Sequence, residues 1–128
     1  MYEVTVITHF AAAHQLRNFR GKCEQLHGHN WKVEVTLKGE HLNDEGLLID
    51  FQELRAITNG ILEELDHSFL NELPAFKNQN PSSENIAAYI FKELSSRLTN
   101  GNKRVSMVTA WESETASASY SEPVHGVP

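Results

Sequence analysis

Residues 22–30, KCEQLHGHN, hold the only cysteine of the chain, Cys23, together with Glu24, His27 and His29. Thiol, carboxylate and imidazole are the side chains that ligate transition metals and move protons. A single cysteine cannot close an intramolecular disulfide, so this thiol is either inert packing or chemistry. Two further groups have the same dual character. Asp66-His67 is either a polar helix end, with His67 near the C-terminal dipole, or a relay in which a carboxylate orients an imidazole. Glu112 follows Trp111 at the end of an apolar run. There it is either a solvated carboxylate or one aimed into a pocket, able to accept two hydrogen bonds from an amino-heterocycle.

The elements that must position these groups are readable from hydrophobic period. Residues 2–14 alternate, with Tyr2, Val4, Val6, Phe10 and Ala12 on one side and Glu3, Thr5 and His9 on the other, a strand that ends with His14 on its apolar face. From His29 the alternation resumes, with Trp31, Val33, Val35 and Leu37 opposed to Asn30, Lys32, Glu34, Thr36 and Lys38, and His27 shares the parity of the apolar side. Gly28 between the histidines lets the backbone bend. If the two strands pair antiparallel, the 15–26 connection sets the end of the first beside the start of the second, and His14, His27 and His29 converge.

Three neutral imidazoles meeting at an apolar strand end suit tetrahedral zinc, with the fourth position left open in a catalytic site. The competing reading is three rings satisfied separately by backbone groups. With no second thiol, a Cys-rich structural site is excluded. Lys22 and a nearby metal would both favour the thiolate of Cys23.

Downstream, Asp50 with Glu53 can cap a helix whose Phe51, Leu54, Ile57, Ile61, Leu62 and Leu65 recur at helical spacing. NELPAFKNQNP reads as loop. Pro81 sits at a helix start, capped by Asn80 or Ser82, and Ile86, Ala87, Ile90, Phe91, Leu94 and Leu98 form the apolar stripe. RVSMVTAWE and TASASY are two more strands. The first is apolar at both parities, through Val105, Met107 and Trp111 on one side and Val108 and Ala110 on the other, which predicts that both its faces are covered. The order strand, strand, helix, helix, strand, strand predicts an α+β fold, a four-stranded antiparallel sheet with two helices on one face. His9, His41 and His125 read as surface residues.

At 128 residues and 40% hydrophobic content the chain suits one domain, read as 1–121 with a loose tail over 122–128. Lys and Arg total 11 against 17 Asp and Glu, a net charge of −6, which argues against nucleic acid as a partner. No apolar stretch approaches the roughly 18 residues of a membrane span, so a soluble, cytoplasmic chain with no membrane partner is expected.

The assembled segments FAAAHQL, GKCEQLHGH, LLIDFQELR, LDHSFLN, NPSSENIA and VTAWESETASASY resemble the 6-pyruvoyl-tetrahydropterin synthase family, which includes the 6-carboxy-tetrahydropterin synthases of queuosine biosynthesis. The resemblance implies Zn2+ held by His14, His27 and His29, and Cys23 as the proton-abstracting thiolate. It implies Asp66 and His67 as the relay, Glu112 as the anchor for the amino face of a small-molecule pterin, and Ser82 and Ser83 as lining of the pterin pocket. Glu114 competes with Glu112, although the spacing to Tyr120 favours Glu112. The implied architecture is the tunnelling fold (T-fold), in which trimers close their sheets into a barrel and two trimers stack as a homohexamer. His67 would then serve a neighbour's Cys23. The implied reaction is a lyase acting on 7,8-dihydroneopterin triphosphate, most like the carboxy branch, with the pyruvoyl product as an alternative. Glu24 also satisfies a Glu-x-x-His-Gly-His pattern associated with side-chain cleavage to 6-hydroxymethyl-dihydropterin for folate. A zinc-dependent pterin binder without turnover is the non-enzyme alternative.

Overall fold

The structure is a computed structural model that describes residues 1–18, 24–98 and 101–123. Two long strands, β1 (Tyr2–His14) and β2 (His27–Gly39), pair antiparallel along their whole length, from Tyr2 opposite Gly39 to His14 opposite His27. The ladder continues through β4 (Lys103–Ser113) and β5 (Ala116–Tyr120), both antiparallel to their neighbours. A two-residue strand, β3 (Ser68–Phe69), adds to the outer edge of β1 in parallel, giving a mixed five-stranded sheet ordered β3-β1-β2-β4-β5. This fifth strand is the departure from an all-antiparallel sheet of four. The helices α1 (Phe51–Leu62) and α2 (Ser83–Arg97) lie against the sheet, α1 on β1 and α2 on β4 and β5.

One face of the sheet carries the core. Val6 and Phe10 of β1, and Trp31, Val33, Val35 and Leu37 of β2, are buried against Leu54, Ile61, Ile90 and Leu94 of the helices. Burying each such side chain contributes roughly 1.5–3 kcal/mol, which selects the strand register. Tyr2, at the start of the same parity, is half exposed.

The helices begin as the sequence suggests and differ in detail. Asp50 accepts a hydrogen bond from the Gln52 amide, and Ser82, rather than Asn80, accepts from the Asn85 amide at the start of α2. Phe51 is exposed and lies outside the apolar stripe. α1 stops at Leu62, and the following turn, with the Leu65 and Asp66 amides both bonded to Leu62 O, reverses the chain while keeping Leu65 buried. That reversal delivers residues 66–69 to the edge of β1.

β4 contains a bulge. Thr36 pairs with Met107 while Leu37 pairs with Val105, so Ser106 is the extra residue and the alternation shifts by one. Val105 therefore joins Val108 and Ala110 in the core, and Met107 is left 42% exposed on the opposite face. The expectation of two covered faces is not met within one chain: among the described residues no helix packs on the side of Met107. Among the described residues no helix is long and apolar enough to cross a membrane.

Past His14 the chain leaves the ladder but not its pattern of pairing. The Asn71 side chain accepts from Gln15 N at 2.9 Å and donates to Gln15 O at 2.8 Å. Asn80 does the same for Arg17, accepting from its amide at 2.7 Å and donating to its carbonyl at 3.0 Å. Each carboxamide presents one acceptor and one donor, so it imitates a strand neighbour. Arg17 returns the tie, its guanidinium donating to the carbonyls of Asn71, Phe76 and Gln79. The segment that read as plain loop thus contains two short 3-10 helices, Leu70–Glu72 and Pro74–Phe76, with Phe76 fully buried. Replacing Asn71 by Ala strands both polar groups of Gln15 and should cost about 1–3 kcal/mol in urea unfolding. Asn71→Asp, which keeps only the acceptor, should recover part of that loss; an unchanged midpoint in both variants would show the clamp contributes nothing.

Candidate metal centre

The β1–β2 register sets His14 directly opposite His27 and Ala12 opposite His29. All three histidines project from the core side of the sheet at its end, where the helix layer no longer covers it. Gly28 continues the ladder opposite Ala13 without positive φ, so its expected bend is not used. The three rings pack edge to face, with centroids 4.6 Å apart for His14–His27 and His27–His29 and 5.3 Å for His14–His29. Trp31 forms the inner wall, its ring 5.1 Å from that of His14.

The tautomers follow from the outer contacts. His14 Nδ1 lies 2.7 Å from Pro81 O, and His27 Nδ1 lies 2.9 Å from Gln25 O. A carbonyl only accepts, so both Nδ1 atoms carry the proton and the Nε2 lone pairs face inward. The outer partner of a ligating histidine ordinarily does this, fixing ring orientation and the free nitrogen. His14 Nε2 and His29 Nε2 are buried without a hydrogen-bond partner. Leaving such atoms unpaired costs roughly 1–3 kcal/mol each, a cost that a bound cation removes. Burial holds His29 below the ordinary imidazole value, opposed by Glu112 and reinforced by His27 and His14. It is neutral, as a ligand must be.

Glu112 completes the cluster. Its Oε1 lies 2.8 Å from His29 Nε2, 3.6 Å from His27 Nε2 and 3.7 Å from His14 Nε2. The donor atoms of His14, His27, His29 and Glu112 all fall within 4.8 Å of one another, a group that could hold a metal ion. Glu112 continues the parity of Val108 and Ala110, the core face of β4, so it projects on the side of the sheet that carries the histidines. Trp111 pairs with Ser117 but Ser113 with Ala116, so Glu112 is the extra residue of a second bulge, without a partner on β5. Glu114 lies in the β4–β5 turn and lines a cleft of about 510 Å3 with His9, Lys32 and Trp111, to which none of His14, His27 and His29 contributes.

The other expected residues are distributed around this centre. The Glu24 carboxylate accepts from Leu16 N at 3.2 Å while standing 3.8 Å from His27 Nε2. Ser82, which follows the Pro81 whose carbonyl holds His14, spends its hydroxyl on capping α2, and Ser83 is the first helical residue. Cys23 and His125 lie outside the described residues; His9 and His41 are exposed.

Asp66 and His67 form a pair at the β1 edge. Asp66 Oδ1 accepts from Ala11 N at 2.8 Å and Oδ2 lies 2.9 Å from His67 Nδ1. The Ala11 hydrogen bond, helped by His67, holds the Asp66 carboxyl below its ordinary value. His67 has φ of +56°, unusual for a residue with a Cβ, and its amide bonds to Ala11 O. With Nδ1 donating to Asp66, Nε2 is free on a ring that is 82% exposed. His67 is not in the metal-ligating group, yet it lines one open cleft of about 430 Å3 with His29, Gly28 and Ser68. The Pro81 and Gln25 carbonyls were invisible to sequence reasoning, because a backbone oxygen leaves no residue-type signal.

Against known proteins, residues 3–123 match the family model described as 6-pyruvoyl tetrahydropterin synthase. The 6-carboxy-5,6,7,8-tetrahydropterin synthase of Synechocystis sp. is 34% identical over 119 residues, covering 89% of this chain and 88% of that protein. The dihydroneopterin monophosphate aldolase of Pyrococcus furiosus is 34% identical over 103 residues, covering 80% and 82%. The structure of Caenorhabditis elegans 6-pyruvoyl tetrahydropterin synthase superposes with a TM-score of 0.82 at 25% identity, covering 95% of this chain and 96% of that one. With the family match running almost end to end over this sheet and its histidine cluster, the chain belongs to the 6-pyruvoyl tetrahydropterin synthase family.

Proposed function

We propose that the chain is a zinc-dependent lyase converting 7,8-dihydroneopterin triphosphate to 6-carboxy-5,6,7,8-tetrahydropterin, with loss of acetaldehyde and triphosphate, in queuosine biosynthesis. Family membership supports a pterin-synthase lyase with a small-molecule pterin substrate. The observation that carries the metal is the convergence of three imidazole Nε2 atoms, two of them buried and unpartnered. Such a neutral nitrogen set suits zinc, with His14, His27 and His29 as its ligands. When bound, the ion supplies Lewis acidity, making hydroxyls of the substrate side chain more acidic.

The chain's own residues do the rest. Cys23 takes the proton from the side-chain carbon beside the C=N of the pterin ring, as a thiolate. Asp66, ionised at neutral pH, keeps the proton of His67 on Nδ1, so Nε2 is the atom that accepts or returns a proton. Glu112 accepts hydrogen bonds from the amino edge of the pterin, and Ser82 and Ser83 border the ring. We further propose a homohexamer of two trimers in which His67 serves a neighbouring subunit. Its high exposure and the unpaired outer edge of β1 beyond β3 support this. A cytoplasmic setting would keep the lone thiol reduced.

A second reading is favoured by Glu24. Its carboxylate stands on the same rim, 3.8 Å from His27 Nε2, and the Pyrococcus furiosus relative is named an aldolase. Glu24 would then direct part of the turnover to 6-hydroxymethyl-dihydropterin.

Incubating the zinc-loaded protein with dihydroneopterin triphosphate and weighing the products decides among these. Acetaldehyde with the carboxy product is expected, and unchanged substrate would leave a binder only. If Glu24 contributes, Glu24→Ala shifts the product ratio. His27→Ala should lose both zinc and turnover, whereas Cys23→Ala should lose turnover and keep zinc, read by elemental analysis. Asp66→Asn retains the acceptor for Ala11 N but offers His67 a donor, forcing the opposite tautomer. Turnover should fall by about 10²–10⁴-fold with metal content and unfolding midpoint unchanged; a midpoint that falls in step with the rate would assign Asp66 a structural role.

A further inference from the structure

The position of Glu112 fits two tasks that cannot be performed together. Metal–nitrogen bonds of about 2.0–2.1 Å put the donors of a tetrahedral site about 3.3–3.4 Å apart. The three separations from Glu112 Oε1 to the imidazole nitrogens, 2.8, 3.6 and 3.7 Å, bracket that value. Even the shortest lacks hydrogen-bond geometry, since His29 Nε2 has no hydrogen-bond partner. Donors around a common ion have this relation: they lie close together and point at a shared centre, not at each other. Glu24, the other carboxylate nearby, reaches only His27, and its Oε1 is taken by the Leu16 amide.

The same carboxylate is free to leave. Among the described residues its only partners are the three imidazoles, its side chain is 35% exposed, and it is carried by the unpaired residue of a bulge rather than by a paired strand position. It is built to reach the centre without being pinned there.

We propose that Glu112 gates the metal. In the substrate-free enzyme its carboxylate occupies the fourth coordination position, and the amino-pyrimidinone edge of an arriving pterin draws it away, opening that position only once the ring is seated. This rests on the metal reading above and adds that the pterin anchor and the fourth ligand are one residue. A bidentate pair of hydrogen bonds from an N–H and an amino group matches a carboxylate in geometry, so the incoming ligand replaces what the carboxylate gives up.

The test uses the cobalt(II)-loaded full chain, whose visible absorption reports coordination, and azide as a probe of the open position. Pterin without a 6-side chain serves as the trigger, because it has no side-chain hydroxyl to bind the metal itself. Azide should bind the wild type weakly, and saturating pterin should tighten it tenfold or more. Glu112→Gln, which keeps the shape, and Glu112→Ala should both bind azide tightly without pterin and show no further gain with it. Azide affinity that is unchanged or weakened by pterin in the wild type overturns the gate. So does tight azide binding in the wild type equal to that of the variants. Elemental analysis separates the two levels: a chain that takes up no cobalt sinks the metal reading and the gate together, whereas one cobalt per chain with pterin-independent azide binding sinks the gate alone.

Discussion

Everything at the candidate site depends on the pairing register of β1 and β2. Side chains on a strand alternate between faces, so a slip of one residue would send every core side chain of one strand to the other face. The same slip would separate His14 from His27. The two strands pair over thirteen positions, and the buried residues of both, from Val6 to Phe10 and from Trp31 to Leu37, lie on the helix side. The core therefore fixes the histidines, although none of the apolar residues is chemical. Precision at the site is a by-product of burying Trp31, Val33, Val35 and Leu37, each fully excluded from solvent.

A strand end is also a weak point, because the ladder that holds the backbone stops there. The chain compensates with side chains that act as backbone. Asn71 and Asn80 each engage both polar groups of one residue beyond β1, and Asp66 takes the Ala11 amide on the outer edge. Carbonyls do the matching work from the other direction, Pro81 on His14 and Gln25 on His27. These contacts make the rim of the sheet as determined as its middle while leaving the inward nitrogens uncommitted. The left-handed backbone at His67 belongs to the same scheme: strain at one residue is held by the Ala11 carbonyl and turns the imidazole out to the cleft.

Much of this was legible before the coordinates. Alternation identified β1 and β2, because each puts one face on the core, and helical period identified both helices. Convergence of His14, His27 and His29 needed only two registers and one connection. What escaped reading shares one cause, the local break in a pattern. β3 is two residues long, too short to show a period, and exists because a turn after α1 brings it to β1. Val105 and Met107 share parity in sequence and lie on opposite faces because Ser106 is inserted between them. Phe51 has the right spacing at the first helical position but projects to solvent. Glu112 is a different case: it read as a strand-end carboxylate with no stated neighbour, and the pairing of β4 with β2, which no residue type announces, sets it beside the histidines.

Charge gives the position of Glu112 its meaning. The chain as a whole is acidic, with 17 carboxylate side chains against 11 basic ones, so its overall field repels a polyphosphorylated substrate. Attraction has to be local. Three neutral imidazoles around a divalent ion would leave two positive charges at the strand end, and a coordinated Glu112 would reduce them to one. Arg17, the nearest guanidinium along the chain, has its donors turned to the carbonyls of Asn71, Phe76 and Gln79 and contributes structure instead. In the proposed gate, withdrawal of Glu112 to a pterin edge would do two things at once: free a coordination position and restore the full charge of the ion beside the substrate's anionic side chain. A carboxylate fixed on a paired strand position could not make that exchange, and one further out could not reach the ion. Glu112, unpaired with β5 near the end of β4, lies between these limits.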